Sequence, residues 1–378
     1  MIKPRRGSYN CSKVRTRSGI HNPKIESAVQ KDGMKVFDRF LLILLAKAEE
    51  KYIVYHTCYQ FSQKRKRGLM EPKYQEQLSK LVDRSEPVNI LNEVRRHFYS
   101  VYDRESFSPV ERGFMLIAAL FRGDFPGYKR CSTAYHDFNH TLDTFLATAR
   151  ILDGYAVSDG TISMSVARRV LLAALFHDAG YIQEEGDNEG TGAKYTQHHV
   201  ERSEQFVFKN ASTFGLTQED AEEISLLIRF TDMSCELVSM NNHSSEKALV
   251  GKMLGTADLL GQMADRTYLE KLLFLYHEFR EAGIEGFATE FDIIRKTKGF
   301  YEIAMKRLDI DLGQVYRFAS DHFNARHGIN KNLYIESLER QIAYLDEIMK
   351  DDQTNFRKKL KRLDLEAIGE HYHNQSIQ

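Results

Sequence analysis

All six prolines of this chain lie at or before Pro126, and the remaining 252 residues (378 minus 126) contain none. A proline inside a helix costs about 3 kcal/mol, because it removes a backbone hydrogen bond and its ring clashes with the preceding turn. A proline-free segment of this length is what a long helical domain shows, and no run of period-two alternation competes with it. We therefore expect an all-α fold: a compact multi-helix domain with helical extensions at both ends. Upstream, Pro72, Pro87 and Pro109 punctuate shorter helical stretches. Val36, Phe37, Phe40, Leu41, Leu44 and Leu45 form a helical stripe over Met34–Ala48, and further helices are expected over about Tyr74–Val82 and Val88–Val101. Thr217–Asp220 resembles a capping box ahead of Ile224, Leu227 and Ile228.

The two ends differ from the middle. Residues 1–25 carry seven basic residues and no acid, with few apolar ones, so residues 1–30 read as a solvated basic tail. At the other end Leu338, Ile342, Leu345 and Met349 are spaced four, three, four. That seam packs back on its own domain or joins a homodimer. Lys+Arg and Asp+Glu are both 53, and the zero net charge argues against a whole-molecule electrostatic grip on nucleic acid. Four scattered cysteines without a CxxC pair argue against a disulfide framework and a zinc–thiolate site; they fit a reducing, cytoplasmic setting. The longest apolar runs, Phe40–Ala46 and Val170–Phe176, are seven residues each, far short of the roughly 20 that span a bilayer.

Chemistry concentrates in three stretches. In Leu171–Ile182 an apolar helical run ends on His177-Asp178. An imidazole and a carboxylate at the wall of a core are costly to bury without a partner. A divalent metal is one such partner, and a helix-end cap is the alternative. Upstream, His136 and His140 are four residues apart, which on a helix puts both imidazoles on one face; Asp143 can reach that face and hold an imidazole tautomer. Downstream, Asp258 is a single acid in an apolar, small-residue helical stretch, where it must be paired, capped or ligating.

The order His, His-Asp, Asp resembles the HD superfamily of metal-dependent phosphohydrolases, and the wording is closest to its cyclic nucleotide phosphodiesterase branch. The matching residues are Tyr135-His136-Asp137-Phe138-Asn139-His140-Thr141-Leu142-Asp143, the apolar run into His177-Asp178, the pair His198-His199, and Ala257-Asp258-Leu259. The resemblance covers about residues 130–300. It implies His140, His177, Asp178 and Asp258 as metal ligands, two divalent ions bridged by Asp178, a hydroxide nucleophile held between them, and His136 as general acid. The donor set, without thiolate, suits Zn, Mn, Fe or Mg. His198, His199, Gln262 and Phe300 become candidates to touch substrate or support the ligands, and Asp232 echoes a stretch of the same branch. Asp265-Arg266 reads as a structural pair.

Two departures stand out. Asp137 replaces an Asn and adds negative charge beside the site. Thr297 stands where the phosphodiesterases have the Gln that reads the purine, although Phe300 remains where a base would stack. The acidic stretch Glu184–Ala193 reads as a mobile loop, either a lid at the metal mouth or a linker. The expected organisation is a tail (1–30), an N-terminal helical region (31–110), a phosphohydrolase-like catalytic domain (111–330), and a C-terminal helix and tail (331–378). The expected activity is hydrolysis of a nucleotide-like phosphoester. A nucleotide pyrophosphohydrolase and a catalytically silent nucleotide-binding module are the alternatives.

Overall fold

The computed structural model describes residues 77–235, 245–350, 356–363 and 365, all within one compact unit spanning Glu71–Gln378. The basic tail and the Met34–Ala48 stripe lie outside the described residues. Eleven longer helices make up the described fold: α1 Pro87–Tyr99, α2 Ser108–Arg122, α3 Phe138–Ser158, α4 Met164–Phe176, α5 His199–Phe214, α6 Gln218–Ile228, α7 Ser245–Met263, α8 Tyr268–Glu281, α9 Glu290–Lys306, α10 Phe318–His327 and α11 Leu333–Ile348. No strand occurs among the described residues; the one extended pairing is an isolated bridge between Tyr128 and Glu184. The all-α expectation holds.

Helix boundaries follow local chemistry. Pro87 does not break α1 but opens it, where its missing N–H is an orphan in any case. Gly123 ends α2 with φ 81°, a left-handed conformation that a side chain disfavours. Thr217 and Asp220 form the expected capping box of α6, and Thr289 with Asp292 forms a second one at α9. The helix expected over Tyr74–Val82 is, in its described part, a single turn at Leu78–Lys80. Three residues cannot outweigh the cost of helix nucleation without a packed apolar face. The expected boundary at residue 110 falls inside α2, which packs on α4.

The core is built around α3. Every residue from His140 to Gly154 is buried, which is the signature of a helix enclosed on all sides rather than one with a solvent face. It packs against α1, α4, α7 and α10. Small residues make this possible: at Gly154 a Cβ would lie 1.7 Å from the Phe318 carbonyl oxygen, so only glycine lets α10 approach. The three segments singled out for their chemistry are therefore neighbours by packing. His140 enters from the first turn of α3, His177 from the end of α4, and Asp258 from the middle of α7.

At the C-terminal end, Leu338 and Leu345 of the expected seam are buried in α11, which packs on α7, α8, α9 and α10. Ile342 and Met349 of the same seam stay half-buried. Among the described residues no helix is long and apolar enough to cross a membrane.

Candidate metal centre

His140, His177 and Asp178 are 4%, 1% and 2% exposed, and Asp258 is 9% exposed. Their ligand atoms converge. The two imidazole Nε2 atoms are 3.2 Å apart. His140 Nε2 is 3.3 Å from Asp178 Oδ2 and 3.0 Å from Asp258 Oδ1; His177 Nε2 is 3.3 Å and 3.6 Å from the same two oxygens. Ligands held about 2.1 Å from one ion at right angles stand about 3.0 Å apart, so these separations fit one coordination sphere. Yet Asp178 Oδ2 and Asp258 Oδ1 make no hydrogen bond and are shut off from solvent. Buried carboxylate oxygens without partners are expensive, and a cation at their meeting point would supply the missing partner.

The protonation pattern agrees. His177 Nδ1 lies 2.9 Å from the Ala174 carbonyl, so Nδ1 carries the proton and Nε2 offers its lone pair. Burial would raise the pKa of Asp178, but the imidazoles of His177, His140 and His136 outweigh it and hold the carboxyl far below the usual range. Burial likewise opposes ionisation of Asp258, and the imidazoles of His140 and His177 hold its carboxyl below the usual range. Burial would lower His177, yet Asp178 and Asp258 raise it well above an ordinary histidine. Without an ion the two carboxylates thus draw a proton onto His177 Nε2, the atom that would otherwise offer its lone pair to a cation.

His136 is placed differently from the expectation. It does not share a helix with His140, because Asp137 takes the N-cap of α3 and accepts from the His140 amide at 2.9 Å. Asp137 is thus a cap, also accepting from Asn139 Nδ2 at 2.9 Å, rather than a free charge at the site. His136 lies on the preceding loop with its ring 5.9 Å from that of His140. Its Nδ1 is 2.7 Å from Glu278 Oε2, and Glu278, on α8, is fully buried. The other Glu278 oxygen accepts from the amides of Ala134 and Tyr135 at 3.0 Å and 2.7 Å. The ring stacks on Tyr181 at 4.4 Å, and Tyr181 stacks on His199 at 4.6 Å. Burial lowers the His136 pKa, but the charge and hydrogen bond of Glu278 lead the contributions that raise it above an ordinary histidine. Neither Glu278 nor Tyr181 was singled out from sequence. Glu278 looks like any acid on an amphipathic helix until the fold brings it to a loop 142 residues away.

The remaining candidates divide. His199 opens α5, and its Nε2 stands 3.9 Å from Asp178 Oδ1, the carboxylate oxygen turned away from His140 and His177. Gly180 makes this possible, since a Cβ there would meet the His199 carbonyl oxygen at 2.0 Å. His198 is exposed at the rim of the adjoining cleft. Gln262 lines the cleft and accepts from the Tyr135 hydroxyl at 2.9 Å. Phe300 and Asp232 line it too, Asp232 being occupied by the amide and hydroxyl of Ser234, both at 2.7 Å. Asp143 does not orient a ligand: it pairs with Arg84, and His140 Nδ1 makes no hydrogen bond. Three residues along a helix is a rotation of about 300°, which turns Asp143 off the His140 axis toward Arg84. Asp265 pairs with Lys271 at 2.5 Å rather than with Arg266. The acidic loop is pinned, not loose. Asp187 pairs with Lys194 at 2.5 Å, Gln183 Nε2 donates to the Glu189 carbonyl at 3.1 Å, and the Thr191 hydroxyl donates to Glu281 at 2.7 Å. No residue from Glu184 to Ala193 lines the cleft.

A second buried group, His97, Asp153 and His322, also brings ligand atoms close enough to hold an ion. Its carboxylate is already satisfied. Asp153 accepts from His322 Nδ1 at 2.7 Å, from Ser100 Oγ at 3.0 Å and from Arg326 through two nitrogens at 2.6 Å and 2.9 Å. A guanidinium in that position does for the carboxylate what an ion would do, and the group ties α1, α3 and α10 together.

A family model described as Npun_R2479-like matches residues 183–308. That span holds His198, His199, Asp258, Gln262 and Phe300, and leaves out His136, His140, His177 and Asp178. No curated protein matches the chain.

Proposed function

We propose that the protein is a metal-dependent phosphoester hydrolase of the phosphodiesterase type. His140, His177, Asp178 and Asp258 would hold the metal, and His136 would give the proton to the departing oxygen. The observation that carries this reading is the pair of buried carboxylate oxygens without hydrogen bonds, facing two imidazole nitrogens at 3.0–3.6 Å. The nitrogen and oxygen donors, with no thiolate, suit Zn, Mn, Fe or Mg. The two oxygens of Asp178 face different neighbours, His140 and His177 on one side and His199 on the other, which suits a carboxylate shared by two ions. A divalent ion bound there neutralises charge on phosphoryl oxygens and lowers the pKa of a coordinated water.

The protein's own groups supply the rest. Glu278 accepts the His136 Nδ1 proton, so that Nε2, 3.5 Å from the Tyr181 hydroxyl, faces the site. An imidazolium so held can protonate an alkoxide leaving group as the ester bond breaks. Tyr181, stacked on His136 and His199, fixes the ring planes. The buried surroundings keep bulk water from competing for these charges.

The test is metal analysis of the purified full chain, with turnover of bis(4-nitrophenyl) phosphate and of the corresponding monoester in added Mn²⁺. Bound transition metal and diester turnover, both lost in Asp178→Ala, are the expected outcome. A folded protein that takes up no metal and is inert on both esters sinks the reading.

A further inference from the structure

The candidate centre opens into a cleft of about 830 Å³, near the upper end of volumes that enclose a whole small ligand. Asp258 and His136 lie at its metal end. The far arm is formed by α8, α9 and the turn joining them, with Leu272, Leu275, Phe279, Ile284, Phe287 and Phe300 along the wall. All but Leu272 remain partly exposed there, so their apolar surface is available to a ligand. The turn is fixed rather than free: the Tyr276 hydroxyl donates to the Ala288 carbonyl at 3.1 Å, and the Phe279 and Phe287 rings are 5.4 Å apart.

The few polar groups at this arm each have a partner within the protein. The Thr297 hydroxyl is buried and donates to the Ile293 carbonyl at 2.8 Å. The Lys296 ammonium donates to the Gly286 carbonyl and lies 4.8 Å over the Phe287 ring. Gln262, the nearest amide, holds the Tyr135 hydroxyl at 2.9 Å and is 3.4 Å from the Asp258 carbonyl. A nucleobase in the arm would shed water from its ring nitrogens and exocyclic groups against a mostly apolar wall, the polar lining at Gln197, Arg229, Thr231 and Asp232 being carried by other elements, and that loss is costly. A hydrocarbon chain has nothing to lose there and gains by burial.

We propose that this arm receives an aliphatic chain carried by the phosphoester, so that the substrate is a lipid-like phosphodiester rather than a nucleotide. The head-group half of this statement rests on the phosphoesterase reading above. The chain half stands on the wall of the cleft alone.

The experiment uses the Mn²⁺-loaded full chain and a series of 4-nitrophenyl alkyl phosphates, from methyl to dodecyl, each below its micelle concentration. Binding of alkylphosphonates of the same lengths is measured by calorimetry alongside. KM and Kd are expected to fall about two- to fourfold per methylene until the arm is filled. Phe287→Asp and Ile284→Asp, both at partly exposed positions on the turn, should each flatten that dependence, with the circular dichroism spectrum reporting the fold. Turnover with KM and Kd indifferent to chain length, or nucleotide diesters preferred over the octyl ester, overturns the chain proposal and leaves the hydrolase standing. Chain-length-dependent phosphonate binding without turnover of any diester supports the arm while the hydrolase reading fails.

Discussion

His136 owes its place to a residue far away in sequence. Glu278 is fully buried and binds both the imidazole and the two amides before it, so one carboxylate fixes the loop and charges the ring. We expect His136→Ala to retain metal and lose turnover by roughly 10²–10⁴-fold, as measured by metal content and kcat; unchanged turnover would remove His136 from its role. Glu278→Gln keeps the shape and removes the charge that leads the upward shift of His136. The proton donor is active when protonated, so lowering its pKa should move the alkaline limb of the pH–rate profile to lower pH. An unmoved limb would mean that Glu278 only props the loop. At this scale the candidate ligands were legible because each is a chemistry-bearing residue in an apolar setting, as at His177-Asp178 and Asp258. Asp143 was misread because spacing gives a helix face but not what that face meets. Glu278 was not legible at all, since its role exists only once α8 lies against the loop before α3.

At the scale of elements, the site depends on close approaches between them. Gly180 lets the start of α5 reach the turn after His177, and a Cβ there would also come within 2.8 Å of the Ser203 amide. Gly180→Ala should therefore destabilise the protein by about 1–3 kcal/mol in urea and lower activity beyond that loss, because it displaces His199. A variant as stable as wild type would show that the approach is not tight. The Asp153–His322–Arg326 group binds α3 to α10 on the other side of the core. Burial pushes the pKa of His322 down to about 3, with Asp153 only partly opposing, and burial pushes His327 down to about 4. Both imidazoles are thus neutral in the folded protein, while the unfolded chain takes up protons below its ordinary value near 6.5. Their contribution is intact above about pH 6.5 and drains away as pH falls toward 3–4, by up to about 1.4 kcal/mol per pH unit for the buried His322 and by less for His327, whose partial exposure lets solvent screen it. Urea midpoints measured between pH 7.5 and 5 should fall accordingly; a flat profile would contradict the neutral pair. This lock was invisible in the sequence, where His97, Asp153 and His322 lie far apart with nothing to link them.

Over the whole molecule, the helical class was readable from one negative feature, the missing prolines after Pro126. The α6 capping box was readable from Thr217 and Asp220 alone. The helix expected over Tyr74–Val82 is only a turn at Leu78–Lys80 in its described part, because a stretch that short carries too few residues to offset helix nucleation. What the domain does with its helices follows from α3. By enclosing that helix, the fold brings His140, His177, Asp178 and Asp258 together in the interior and leaves two carboxylate oxygens unpartnered. We propose that a cation completes that arrangement, and this is the central claim. Its most direct test is the metal content of the purified chain by plasma mass spectrometry, alongside the Asp178→Ala/Asp258→Ala variant checked for helicity. We predict about one to two transition-metal ions per chain in the wild type and a tenfold or greater loss in a variant that remains helical. A wild type that stays metal-free after incubation with Mn²⁺, Zn²⁺ and Fe²⁺, or a variant that keeps its metal, would contradict the account.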